Sequence, residues 1–495
     1  MYKHASCIEK TSKFLTLSVI SVLLGCGSTA STSAPGPSPA GQSAPTVVTA
    51  SDAPLSNILS AVVTISSASL TSGTTNAPII SAPVAVELSS LGAVQEPIEL
   101  TNLAYGTYSA VNLTVSSAVV TYVNTGGQTV TTTATLTQPT VTVALTPALV
   151  ISNTAEAQVQ LAFNLAQSFS ITGTTVTFGP AINTVGTLVS AENSGDRQVE
   201  VTGAASAISA SGITIQSGDS GRTFAFTVNS TTQFPTGVTI ASIQAGAIVQ
   251  VQGQTQTDGT ILATMITQES AEGNSGQAED GAKGIVTAVT TSGGVLTGFT
   301  MVPRQSFGSH ASTLATAGII NVAVSSSTSY TLPEDAVQAG IASSAFTSTT
   351  VVPGQSVVVS GASSTAGTLT AQQVTLAAES VAGTLAPSSQ STASTLVFGL
   401  TLPSTSILTT YDHLTGINVT TSQSTEYGGS LTAVSLASLA AGTSAATTTV
   451  EVHAYLVQGV GSNFVLYATG VSQVETPETP EAPETPGNRN TSSGS

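Results

Sequence analysis

From Val47 onward, apolar and polar residues alternate in short runs, and the period is that of β-strands. In Tyr108-Ser-Ala-Val-Asn-Leu-Thr-Val115, Val111, Leu113 and Val115 fall on one face and Asn112 and Thr114 on the other. That spacing predicts a strand with one buried side. Tyr122–Val130 reads as a hairpin, with Gly126-Gly127 supplying the positive φ of a tight turn. Val141–Val143 and Thr175–Phe178 continue the series. Short strands separated by turn signals favour a sandwich or barrel over an α/β plan, so the predicted fold class is all-β. One short helix is expected in Thr331-Leu-Pro-Glu-Asp-Ala-Val-Gln-Ala, where Pro333 and two acids suit a first turn.

A repeat is visible in the glycines. Gly246, Gly253 and Gly259 recur as Gly354, Gly361 and Gly367, each displaced by 108 residues, with strand runs in the same gaps. A looser third copy runs through Leu439–Gly442, Val450–Tyr455 and Val465–Gly470 and lacks the glycine at the strand exit. The second copy carries an insertion around residues 302–350. Each copy is long enough to close its own core, and a small barrel of five or six strands, OB-like in plan, is the expected form. The expected arrangement is beads on a string, with the acidic, Gly-rich Glu269–Gly281 as one boundary.

The predicted organisation is a signal peptide over 1–25, a Ser/Pro/Gly tether over 26–46 and a β-sandwich-like domain over 47–188. Three small β-domains follow over 200–268, 282–378 and 380–474, the last divergent, then a disordered acidic Pro-rich tail over 475–495.

The N-terminal end carries a resemblance. Lys3, Lys10 and Lys13 precede an apolar run from Phe14 that closes on Leu23-Leu24-Gly25-Cys26. The run has the size of a secretory core and is too short for a permanent span. Its last four residues resemble the lipobox of bacterial lipoproteins, which implies lipidation at Cys26; Gly27 fits sorting to the outer membrane by family analogy. Ser51-Asp52-Ala53-Pro54, then Ile58–Ser67 and Leu103-Ala-Tyr-Gly-Thr-Tyr108, resemble an uncharacterised domain of bacterial and archaeal lipoproteins. Members of that family open on "SDAP" and later carry an "AGTY" step, where Tyr105 stands in place of alanine here. The resemblance covers about residues 48–188 and implies an extracytoplasmic sandwich without an agreed activity. The repeated part resembles a second bacterial domain of unknown function found in tandem in exported proteins.

Removing residues 1–25 takes away three lysines and one glutamate and moves the net charge from −17 to −19. Only Arg197, Arg222, Lys283, Arg304 and Arg489 remain as fixed cations, too scattered to neutralise a phosphate backbone, so nucleic acid is excluded as a partner. With Cys7 removed and Cys26 lipidated, no thiol is left for a disulfide or metal site.

Candidate chemistry is sparse. Gly218-Asp219-Ser220-Gly221 looks like a serine-protease signature, but no histidine lies between Cys26 and Ser220, and the sequence reads as a β-turn. Glu451-x-His453 shares one strand face and, with Asp412, offers imidazole and carboxylates to a divalent metal; the alternative is a solvent-facing pair on an edge strand. Glu279-Asp280 and Glu334-Asp335 are the nearest acidic pairs and form no calcium ladder. Asp52, Tyr105 and Tyr108 are candidates for ligand contact, whereas Tyr455 and Tyr467 are expected in the third core. No cofactor is implied. The expectation is a lipid-anchored outer-membrane protein facing periplasm or cell surface, with a structural, adhesive or assembly role and no catalysis. Its expected partners are the membrane, through Cys26, and other envelope proteins or glycans. The alternative is a ligand-binding module for glycan or divalent metal.

Overall fold

In the N-terminal part, alternation produces two facing sheets. The computed structural model describes residues 42–473 apart from 54–56, 92–94, 125, 153–155, 189–197, 219, 236, 269–279, 316–317, 364–366, 392–394, 429–430, 442–447 and 460–462. Cys26, the signal segment and the tail lie outside the described residues.

The first domain opens with β1 (Ser43–Ala53), β2 (Ile58–Ser72), β3 (Thr75–Ile80) and β4 (Val84–Glu87). Then come β5 (Glu96–Ala104), β6 (Gly106–Val123), β7 (Thr129–Thr133), β8 (Thr135–Leu136) and β9 (Thr140–Ile151). It closes with β10 (Ala157–Asn164), the short α1 (Leu165–Ser168), β11 (Phe169–Thr172), β12 (Thr175–Phe178) and β13 (Ile182–Leu188). One sheet has the order β13-β10-β1-β5; the other runs β3-β2-β6-β7, with β4 on β2 and β9 on β6. Val111, Leu113 and Val115 are buried in the core between them, as their spacing predicts. At the predicted hairpin only Gly127 takes a positive φ among the described residues, and Asn124 Oδ1 accepts the N–H groups of Gly126 and Gln128. β1 begins at Ser43, so the last four residues of the expected tether are strand, paired with β5.

The repeats are barrels. The first comprises β14 (Gln198–Ser209), β15 (Gly212–Ser217), β16 (Thr223–Thr227), β17 (Ile248–Thr255) and β18 (Ile261–Gln268). The second has β19 (Asp280–Ser292), β20 (Val295–Phe307), α2 (Ala311–Ala315), β21 (Ile320–Ala323), β22 (Ser329–Thr331), α3 (Glu334–Gln338), β23 (Ser356–Ala362) and β24 (Thr368–Ala377). The third has β25 (Glu379–Ser391), β26 (Leu396–Thr401), α4 (Ile407–Asp412), β27 (Gly416–Thr420), β28 (Glu426–Tyr427), α5 (Ala433–Ala441), β29 (Thr449–Gln458) and β30 (Phe464–Gln473).

In each, the five main strands close in the order 1-2-3-5-4, and strands three and five pair in parallel, the ring of an OB barrel. The first strand crosses the second closely at a glycine. A Cβ on Gly203 or Gly284 would stand 2.0 Å from the carbonyl of Gln216 or Val302, and on Gly383 2.9 Å from that of Thr401. The strand-exit bulge holds Gly253 and Gly361, each opposite an alanine; Ala454 fills that place in the third copy. This accounts for the blurred third repeat. The helix expected after Thr331 forms as α3, with Pro333 as its N-cap. Asp280 and Gly281, expected in a boundary, belong to β19. Added length is not confined to the second copy, because α4 and α5 sit in the corresponding connections of the third. Among the described residues no helix is long and apolar enough to cross a membrane.

The domains are not beads. Gln95 C=O at the start of β5 accepts Glu200 N–H at 2.9 Å, and Gly318 of the second barrel lies against Thr131 of β7. A barrel thus touches one edge strand of each sandwich sheet, β5 and β7. Leu59 and Val123 of the sandwich pack with Ile285 and Val302 of the second barrel and with Ile407 and Tyr411 of the third. Ile248 of the first barrel packs with Phe307, Val358 and Ala377 of the second. Gln198 of the first donates to Glu426 Oε1 of the third at 3.3 Å. Every domain therefore touches the other three.

Candidate functional site: the joints between domains

The scarce cations show where the chemistry lies. Among the described residues the fixed cations are Arg222, Lys283 and Arg304, and all three stand at joints. Arg222 of the first barrel pairs with Glu99 of the sandwich at 3.0 Å and donates to Ala82 C=O. Arg304 of the second barrel, its side chain 3% exposed, pairs with Glu379 at 2.7 Å and donates through Nε to Leu59 C=O of the sandwich. Lys283 is buried beside Thr202 and Gln250 of the first barrel and Tyr455 of the third.

The GDSG sequence is one such joint. Ser217 and Arg222 close the β15–β16 hairpin, Ser217 N–H donating to Arg222 C=O at 2.8 Å, in keeping with the expected turn; Asp219 lies outside the described residues. Ser217 Oγ donates to Glu96 of the sandwich at 2.8 Å, while Gly218 C=O accepts Ser306 N–H of the second barrel. A Cβ on Gly218 would come within 2.1 Å of the Phe307 ring. Gly218→Ala should therefore destabilise the protein by about 1–3 kcal/mol through overpacking. Phe307→Leu in the same chain should recover part of that loss, as read by thermal midpoint.

The Glu451-x-His453 pair is neither on an edge strand nor solvent-facing. β29 lies between β25 and β30. Val450, Val452, Ala454 and Leu456 enter the third core, so alternation turns Glu451, His453, Tyr455 and Val457 outward. That outward row is the seat of the barrel. Tyr455 and Val457 enter the core of the second barrel, and Tyr467 packs against it, rather than in the third core as expected. Tyr455 O–H donates to Asp335 Oδ2 at 2.6 Å, and Gln355 donates to Leu456 C=O at 3.0 Å. Glu451 is 5% exposed and bonds to Ser380, whose Oγ also lies 3.2 Å from His453 Nδ1. Asp412 ends α4 and faces Gly354 of the second barrel. Asp412, Glu451 and His453 are not brought together: among the described residues no three His, Cys, Asp or Glu side chains converge as a metal site.

The aromatic candidates are also absorbed. Tyr108 is buried and donates to Ala104 C=O at 2.8 Å, and Tyr105 is half-buried against the sandwich core, so neither forms an open ledge. Asp52 pairs in register with Phe163 near the end of β1.

An unforeseen Asp–His pair joins Asp280 Oδ2 to His310 Nδ1 at 2.7 Å. Ser309 Oγ lies 3.1 Å from the same ring nitrogen, whereas a Ser–His–Asp relay uses opposite nitrogens. Burial pushes the Asp280 carboxyl up, but bonds from His310, Ser363 and Ser309 outweigh it and hold the group below its usual range.

A second unforeseen feature recurs in all three barrels after the third strand. In Asn229-Ser-Thr-Thr232, Ser325-Ser-Ser-Thr328 and Ser422-Gln-Ser-Thr425, the last threonine accepts the first residue's N–H. The same hydroxyl donates to Ala263, Ala371 or Ala468 C=O in strand five, at 2.8, 2.9 and 2.7 Å. The shared pattern, spaced 96 and then 97 residues, was present in the sequence as a signal. Thr328→Val, which keeps the shape and removes both bonds, should cost about 1–3 kcal/mol, measured by urea unfolding.

Residues 202–267 match a family described as a domain of unknown function (DUF5666). The match spans all five strands of the first barrel, and the other two barrels repeat its ring. No curated protein matches the chain. Two clefts at the joints are narrow. One, where the first barrel meets Lys283 and Tyr455, has about 10 Å³ of free volume; another, where the sandwich meets the second and third barrels at Ile58, Arg304, Glu379 and Leu408, has about 30 Å³. Such spaces hold a water or two, against ~300–1,000 Å³ for small-molecule sites.

Proposed function

We propose that this chain is a lipid-anchored protein of the bacterial cell envelope with a structural, adhesive or assembly role and no catalysis. The observation that carries the reading is the placement of Arg222, Lys283 and Arg304, which join domains to one another instead of converging on a concave site. Narrow clefts at those joints favour the same reading over a small-ligand module. The lipobox-like Leu23–Cys26 supplies the anchor, so the membrane is the first partner and other envelope components are the next. Metabolic labelling with a palmitate analogue should mark the wild-type chain and not Cys26→Ser. Deleting the gene in the host should raise leakage of a periplasmic reporter, and the wild-type copy but not Cys26→Ser should restore the barrier. Equal acyl labelling of both forms rejects the anchor, and an intact barrier in the deletion strain rejects a barrier-supporting role.

A further inference from the structure

The third barrel is seated through two carboxyl groups, each with one buried oxygen that has no donor. Glu451 is on the outward face of β29, and its Oε1 is buried without a hydrogen-bond partner. Asp412 is pressed against the second barrel, its Oδ2 3.2 Å from where a Cβ on Gly354 would stand, and that oxygen also has no partner. A buried carboxylate with unsatisfied lone pairs is costly, whereas the protonated form is tolerated. Of the nearby cations, Arg304 pairs with Glu379, and Lys283 lies beside Thr202, Gln250 and Tyr455. Only Ala378 separates the last strand of the second barrel from the first strand of the third, which gives the third barrel a pivot.

We propose that this seat is a proton-held latch: the third barrel stays docked while Glu451 and Asp412 carry their protons and lifts away when they ionise. Burial pushes Glu451 up to about 8, with the Ser380 bond opposing it, and pushes Asp412 up to about 7. Because both are raised above their unfolded values, their contribution to docking is full below the ordinary carboxylate range. It is lost as pH rises through about 7 and then about 8.

The surrounding groups do not reverse this sign. Beside Glu451 stand Ser380 of β25 and His453 of its own strand, with Glu200 of the first barrel and Lys283 of the second acting on that imidazole. Burial holds His453 below its usual range, Glu200 pulling it up and Lys283 pushing it down, so it stays neutral across the transition. Asp335, pushed up to about 6 by burial, ionises earlier and then accepts Tyr455 O–H as an anion, a contact that resists release. Around Asp412 stand Tyr411, whose phenol burial raises and which meets Thr129 of the sandwich, and His413, next in the chain.

The test is small-angle X-ray scattering on the full chain carrying Cys26→Ser, from pH 5.5 to 9.5. The maximum dimension should increase with a midpoint between 7 and 8. Glu451→Gln/Asp412→Asn should keep the compact dimension throughout, and each single variant should move the midpoint toward the pKa of the carboxyl that remains. Circular dichroism at pH 5.5 checks that each variant is folded. A wild-type dimension that does not change, or a folded double variant that expands as the wild type does, would overturn the latch.

Discussion

Arg304→Ala is expected to lower stability by about 3–5 kcal/mol, because removing one partner of a buried pair leaves the other charge uncompensated. Glu379 would lose its cation at a site where its side chain is 8% exposed, and Leu59 C=O would lose its Nε donor. The effect should exceed that of Arg222→Ala, since Arg222 is 27% exposed and exposed pairs contribute about 0–1 kcal/mol. Arg304→Met/Glu379→Leu should be more stable than Arg304→Ala, because an apolar pair of similar volume avoids the stranded charge. Urea midpoints for the three variants check the order; a double variant no better than the single would show that the shape of the arginine, not its charge, holds the joint.

Tyr455→Ala should be of similar size, about 3–5 kcal/mol, for a different reason. The ring is 1% exposed and belongs to the core of the second barrel, although its backbone belongs to the third. Truncation leaves a cavity between barrels and removes the donor to Asp335. Tyr455→Phe keeps the volume and removes only the O–H, so about 1–3 kcal/mol is expected from the stranded carboxyl. If Phe costs as much as Ala in thermal unfolding, packing is not the main term.

Strands and repeats were legible because their causes are local. Val111, Leu113 and Val115 alternate since one face meets a core, and Gly253 and Gly361 recur since each occupies the same bulge. The joints were not legible, because Glu451 and His453 alternate with core residues as solvent-facing residues do, and what covers them is another barrel. A trace was nevertheless present. Alanine, tyrosine, leucine and valine at 454–457 leave no polar face there, and Val357-Val-Val359 is a continuous apolar run. Such runs mark strands buried on both sides, as these are. The candidate metal trio failed for the same reason: shared spacing on one strand says nothing of where a helix from another connection, here α4, places Asp412.

The turn from Ser217 to Arg222 holds the sandwich on one side and the second barrel on the other. Arrays whose members touch only their sequence neighbours can gain or lose a unit by duplication or deletion. Here excising one unit would strip contacts from the three left behind, and an inserted copy would find no matching surface. The number of barrels is thus set by geometry, and substitutions in one copy must be answered in another domain rather than in its sister copy.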